Sequence, residues 1–243
     1  MFPAVSILGV RVHAVTTAQT LAWIEAAVRA RAPHQICTAN PEFVMMAQRD
    51  SVFREALNAA DLVLPDGVGL LWAARWQGQP LPERVAGSDL IYRIAELAGR
   101  HGWRLYFLGA AEGVAEQAAA RLHTLYPGWQ LAGAFAGSPR VEDEDALVAR
   151  IQHARPDVLM VAYGAPAQDV WIARHRTRLN VPVNMGVGGS FDFVAGLAER
   201  APIWIQRLGL EWLHRLARQP WRWRRILTAT VAFPVRVLRA RRE

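Results

Sequence analysis

The sequence predicts an α/β fold, a parallel sheet covered by helices and followed by a basic amphipathic helical appendage. Three observations predict it. Short apolar runs alternate with segments of helical period, as in a sheet whose crossovers are helices. Polar and Gly-rich residues follow the ends of those runs, where open α/β sheets gather their ligands. Near residue 196 the composition changes and Arg and Trp become dense, which divides the chain into a core, 1–196, and an appendage, 197–243.

In chain order the apolar runs predict strands over 5–12, 35–38, 61–64, 104–108, 130–135, 158–162 and 181–187. Helical patterns fill the intervals at 17–30, 51–59, 88–100, 112–125, 143–154 and 170–178. Thr16 or Thr17, and Ser88, are expected as N-caps, because their hydroxyls can accept orphan helix amides. The residues that follow the strands are Thr38 and Asn40, Pro65-Asp66-Gly67, Gly109, Gly164-Ala165-Pro166, and the run from Gly186 to Asp192. Their spacing predicts one crevice beyond the carboxyl ends of the sheet.

Composition narrows the class. The chain has 243 residues, 52% hydrophobic and 20% charged, enough to bury a core and too polar for a membrane bundle. Its net charge is +7, and every basic residue is Arg. That usage reads either as compositional bias or as a preference for the guanidinium fork that meets phosphate. The single cysteine, Cys37, excludes an internal disulfide and a cysteine zinc site, and fits a reducing compartment. The first residues lack a basic stretch before an apolar one, so no signal peptide is expected. No apolar stretch reaches the roughly 18 residues needed to cross a bilayer.

Each motif has a structural and a functional reading. Asp66 stands between Pro65 and Gly67, either an ordinary turn residue or a general base presented by a shaped turn, with Pro fixing one dihedral and Gly freeing another. Thr38-Ala39-Asn40-Pro41 ends a strand and opens a helix, so its polar groups either cap or line the crevice. Gly186-Val187-Gly188-Gly189-Ser190-Phe191-Asp192 resembles a phosphate loop but lacks the dinucleotide fingerprint, and no lysine-bearing phosphate loop exists. The acids at 142–145 contain a D-x-D pattern, yet they precede a helical run whose macrodipole they complement. With no paired His at ligand spacing, no metal is expected. From 200 onward, eleven arginines meet only Glu211 and Glu243, interleaved with Trp204, Trp212, Trp221 and Trp223. Such a basic amphipathic tail reads as lying in a membrane interface rather than on nucleic acid, or as packing on its own domain. Pro234 is expected to break a helix there.

Together these motifs resemble the WecG/TagA/CpsF family, glycosyltransferase family 26, over nearly the whole chain. The resemblance is carried by Thr38-Ala39-Asn40, by the run from Asp61 to Gly69, and by the run from Glu83 to Asp89. It continues through Phe107-Leu108-Gly109, Gly164 to Gln168, Gly186 to Asp192, Arg200-Ala201-Pro202 and Gly209-Leu210-Glu211-Trp212. It implies a Rossmann-like core with helices on both faces of its sheet. It implies inverting, metal-independent transfer of a sugar from a UDP-sugar to an undecaprenyl-diphosphate-linked saccharide, without a cofactor, in making cell-surface polysaccharide or teichoic acid. N-acetylmannosamine, its uronic acid and glucose are all donor sugars the resemblance allows.

The family's base maps onto Asp66, with Thr38 beside it in catalysis and Asn40 as the second polar group at the reacting centre. Arg84 and Gln168 map onto pocket residues, and Asp192 onto the acid of the Gly-rich loop. Arg215, Arg222 and Arg225 map onto appendage arginines that reach the diphosphate. The implied partners are the UDP-sugar, the polyprenyl-linked acceptor and the inner face of the cell membrane, where the protein would be peripheral; whether it works as a homo-oligomer is left open. One departure is Asp169, where the family has Glu, so that the carboxylate is retracted by about a bond length. Another is Phe135-Ala136-Gly137-Ser138-Pro139, where an aromatic-rich stretch is usual. Two other classes stay open: a non-catalytic nucleotide-sugar-binding protein, which the retained Asp66 and Gln168 argue against, and a Rossmann oxidoreductase, which the missing fingerprint argues against.

Overall fold

A computed structural model describes residues 2–199, 201–202, 205, 211–218 and 220–240, with the side chains of Arg215 and Arg222 excepted. Eight strands are described: β1 (Ala4–Ile7), β2 (Val10–His13), β3 (His34–Ala39), β4 (Leu62–Pro65), β5 (Arg104–Gly109), β6 (Gln130–Phe135), β7 (Val158–Ala162) and β8 (Val183–Gly186). The helices are α1 (Thr17–Ala30), α2 (Pro41–Ala47), α3 (Ser51–Ala59), α4 (Val68–Trp76), α5 (Gly87–His101), α6 (Val114–Leu125), α7 (Glu144–Ala154), α8 (Ala167–Leu179) and α9 (Ser190–Ala195). In the C-terminal segment they are α10 (Glu211–Arg218), α11 (Trp223–Leu227) and α12 (Phe233–Ala240), the last two joined by a π-turn at Thr228–Ala232.

Six strands form one parallel sheet in the order β4-β3-β8-β7-β5-β6. The α/β expectation therefore holds. Every sheet strand except the edge strand β6 is buried almost throughout, because both faces are covered. Alternate residues go to opposite layers. Leu105, Phe107, Val158 and Met160 enter one core with α1, α5, α6 and α9. Tyr106, Leu108, Leu159 and Val161 enter another with α7 and α8. Cys37, Ala39 and Val63 enter a third with α2, α3, α4 and the first two strands.

Three local expectations are corrected. The run 5–12 is a hairpin rather than one strand: Leu8 and Gly9 have φ of 49° and 79°, the left-handed pair of a two-residue turn. His13 at its end accepts a hydrogen bond from Val63 N–H, 2.9 Å, which occupies a donor on the free edge of β4. Ser88 does not cap α5; Ala86 holds that position without a side-chain bond, because the helix begins one residue earlier at Gly87. Thr16, by contrast, caps α1 in a full capping box with Gln19. Pro234 does not end the helix: the chain stays helical from Trp223 to Ala240, and the π-turn at Thr228–Ala232 just before the proline shifts the hydrogen-bond pattern that its missing N–H would otherwise interrupt.

The C-terminal segment is anchored in the third core. Phe233 and Val237 of α12 are buried there beside Leu70 and Ala73 of α4. Its arginines at 224, 225, 236 and 239 are exposed. Among the described residues, no helix is long and apolar enough to cross a membrane.

Candidate active site

Loops after β3, β4, β7 and β8 line one cleft of about 920 Å³ at the carboxyl end of the sheet. The order of the strands explains its place. The chain runs outward from β3 to β4, crosses to β5 and β6 at the far edge, and then returns inward through β7 to β8. β8 comes to lie beside β3, and the loops at such a reversal diverge and leave a crevice.

Asp66 leaves β4 at the cleft wall. Its N–H donates to Ala39 O, 2.7 Å, continuing the β3–β4 ladder by one residue. Its Oδ2 accepts from Gly87 N–H, 3.1 Å, at the start of α5. The carboxylate thus sits at the positive end of a 15-residue helix. Gly87 permits that approach, since a Cβ there would lie 3.0 Å from Thr38 Cγ2 and 3.6 Å from Asp66 Oδ2. Gly67 is needed for a different reason from the one expected. Its φ of −176° is open to any residue, but a Cβ would stand 2.9 Å from Pro41 Cδ. Close packing of the two loops, rather than a special dihedral, requires glycine there.

Thr38 is buried at the end of β3 and lines the cleft beside Asp66. Asn40 both caps and lines: its Oδ1 accepts from Phe43 N–H, 2.9 Å, leaving Nδ2 as the donor it can offer to a ligand. Gln168 braces two loops. Its Oε1 accepts from Gly164 N–H, 3.1 Å, after β7 and from Gly188 N–H, 3.0 Å, after β8. Asp192 lines the cleft from the first turn of α9.

Arg84 and Arg225 also line the cleft, and each meets a glutamate across the seam between core and C-terminal segment. Arg84 pairs with Glu211 of α10 at 3.2 Å, and Arg225 donates to Glu42 of α2. Within the C-terminal segment itself, Arg218 pairs with Glu199 at 2.6 Å; both side chains are well exposed and the pair contributes little to stability. Sequence reasoning did not single out Glu42, Glu199, Glu211, Arg218 or the cleft-lining Trp72 and His214 as site residues. The only signal for Glu211 was its place in a recognised motif; Glu42 reads as an ordinary acid in a first helical turn. The expected positions Arg215 and Arg222 have side chains outside the described residues, and so do Arg200 and the stretch 206–210.

Asp169 lies just behind this wall, fully buried beneath Gly186, where a Cβ would come within 2.9 Å of its Oδ1. Burial pushes its carboxyl up to about 7, against smaller opposing effects of Cys37 and Gln168. Burial likewise raises the Cys37 thiol well above its ordinary value, with the Asp169 charge adding to it. Cys37 is thus an inert core thiol rather than a nucleophile. Among the described residues, no group of three or more His, Cys, Asp or Glu side chains could hold a metal ion. The acids at 142–145 serve structure: Glu144 pairs with Arg174 at 2.8 Å and Asp145 with Arg178 at 2.6 Å.

Comparison with known proteins gives the same picture. A family model described as "Glycosyl transferase WecG/TagA/CpsF family" matches residues 5–243. The chain is 35% identical over 193 residues to a Bacillus subtilis protein, covering 79% of this chain and 75% of that one. It is 34% identical over 210 residues to one from Staphylococcus aureus, covering 86% and 81%. Both are named N-acetylglucosaminyldiphosphoundecaprenol N-acetyl-beta-D-mannosaminyltransferase.

Proposed function

The chain belongs to the WecG/TagA/CpsF family of glycosyl transferases, and from that premise we propose that it moves N-acetylmannosamine from a UDP-sugar to N-acetylglucosaminyl-diphosphoundecaprenol. That it is a glycosyltransferase follows from the family. The donor and acceptor rest on the names its relatives carry, which support N-acetylmannosamine among the three sugars the sequence left open. The observation that carries the reading is Asp66, a carboxylate in a large cleft, held by a helix N-terminus beside Thr38.

In the proposed reaction a hydroxyl of the acceptor sugar attacks the anomeric carbon of the donor. Asp66 takes the hydroxyl proton as the C–O bond forms, and the bond to UDP breaks with its electron pair leaving on the diphosphate. A β-linked product from the ordinary α-linked sugar nucleotide requires one inversion, so a single displacement with one base suffices. Such a base accounts for about 10²–10⁴ in rate. Thr38 and Asn40 offer hydrogen bonds at the reacting centre. The Gly-rich loop, braced by Gln168, and Asp192 border the donor. Arg84 and Arg225, joined by Arg215 and Arg222, neutralise diphosphate charge; their planar forks meet phosphate oxygens in pairs, so the reading requires no metal. To reach a lipid-linked acceptor the protein docks peripherally on the inner membrane face through its Arg- and Trp-rich C-terminal segment.

The test is transfer from a panel of UDP-sugars to a short-chain lipid-diphosphate N-acetylglucosamine, with a chelator present, for the native protein and Asp66→Asn. A glycolipid formed from UDP-N-acetylmannosamine, and lost about 10²-fold or more in the variant, supports donor, acceptor and base together. Full activity in the variant removes Asp66 from the mechanism. Product from another sugar alone overturns the donor.

A further inference from the structure

Helix α4 leaves the cleft directly from the Asp66 turn, and one of its faces is an exposed apolar row. Val68, Trp72 and Trp76 are 47%, 39% and 43% exposed and stand one helical turn apart. The Trp72 and Trp76 rings stack, centroids 6.3 Å apart and 15° from parallel. Val68 and Trp72 line the cleft, while Trp76 lies beyond its lining, so the row runs roughly 12 Å from the reacting turn outward. The C-terminal segment lies alongside. Ala229, Thr230 and Pro234 line the same cleft, and a Cβ at Gly69 of α4 would lie 3.7 Å from the Phe233 ring.

A sugar nucleotide is polar along its length and gives no reason to expose two stacked tryptophans beside its site. A lipid-linked acceptor does. We propose that the row Val68–Trp72–Trp76 seats the first isoprene units of the acceptor's polyprenyl chain as it leaves the cleft. The proposal rests on the acceptor class assigned above. The row starts inside the cleft, where a bilayer cannot follow but a chain tethered to the bound substrate must pass. That continuity favours the substrate's own lipid over the membrane surface as occupant. The stacked indoles offer broad, rigid apolar area at small entropic cost.

The experiment compares Trp76→Ser and Trp76→Phe with the native full chain. Transfer is measured to two acceptors with the same diphosphate sugar, one on a long polyprenyl chain and one on a short soluble alkyl group. Trp76→Ser is expected to raise KM for the long-chain acceptor about tenfold and to move KM for the short one less than about twofold, with Trp76→Phe close to native. Equal effects on both acceptors, or none on either, overturn the proposal. So does a long-chain defect matched by equal loss of flotation with acceptor-free phosphatidylglycerol vesicles, which would make the bilayer the occupant. Titration with a fluorescent polyprenyl diphosphate, with no donor present, separates this proposal from the one it rests on. Trp76-dependent binding by a protein that transfers nothing leaves the lipid seat standing and removes the proposed reaction. Transfer with binding indifferent to Trp76 does the reverse.

Discussion

At Asp66 three neighbours decide what one carboxylate can do. The β3–β4 ladder fixes its backbone, Gly87 N–H fixes one oxygen, and Thr38 walls its side. Aspartate in a Pro-Asp-Gly turn is common; one aimed at a helix start across a cleft is not explained by turn chemistry. Asp169 shows the opposite arrangement, a carboxyl with its charge buried. Its value of about 7 in the fold lies above the ordinary value of 3.8, so the folded state holds its proton after the unfolded chain has released it. Stability conferred by the neutral acid is therefore lost as pH rises from about 4 through about 7. Asp169→Asn should remove that loss, gaining stability over the native protein at pH 8 and little at pH 4, by at most roughly 4 kcal/mol. Urea midpoints across that range check it; an unchanged pH profile in the variant would place the titration elsewhere.

Secondary elements extend the same logic. α2 and α4 pack so closely that Gly67 and Gly69 face Pro41 with no room for a methyl group. α12 closes over them through Phe233 and Val237. Phe233→Ala removes a fully buried ring, a change worth about 3–5 kcal/mol in a well-packed core. Because α12 packs on α2 and α4 and forms no part of the sheet, the expected result is local: hydrogen exchange quickens in α12 while the sheet strands keep their protection. Across the seam, Glu42 competes with any anion for Arg225. Glu42→Gln is expected to change stability by less than about 1 kcal/mol, since the pair is partly exposed. The same change should tighten binding of UDP or inorganic pyrophosphate, measured by calorimetry. Weaker binding would mean instead that Glu42 positions the arginine.

On the scale of the whole molecule, charge and apolar surface are both unevenly spread. The stretch from 200 onward carries eleven arginines against two glutamates, more positive charge than the chain's net +7. Trp221, Trp223, Leu227 and Val231 are exposed among those arginines. Anionic vesicles should therefore bind the protein, neutral ones much less, and the difference should shrink between 0.05 and 0.5 M salt as the Debye length falls from about 14 to about 4 Å. Sedimentation with vesicles measures this; binding indifferent to salt and lipid charge would leave only apolar insertion.

The α/β class was legible in the residues alone, as were all six sheet strands to within two residues at either end and the polar residues that follow them, because a covered parallel sheet imposes apolar runs of strand length. It also singled out Asp66, Thr38, Asn40, Arg84, Gln168, Asp192 and Arg225, all of which line the cleft. Motif order carried that, not local propensity. α4 and α9 were not legible: α4 is apolar almost throughout, with no clean period, and α9 spans 6 residues. The hairpin at Leu8-Gly9 was hidden because a left-handed Leu gives no turn signal. Which glutamate faces which arginine, the sealing of Asp169 beneath Gly186, and the opening of the exposed α4 row from the cleft came from the packed chain. Those are contacts between residues far apart in the chain. They depend on how strands are ordered and helices docked, and a one-dimensional pattern of hydropathy does not encode them.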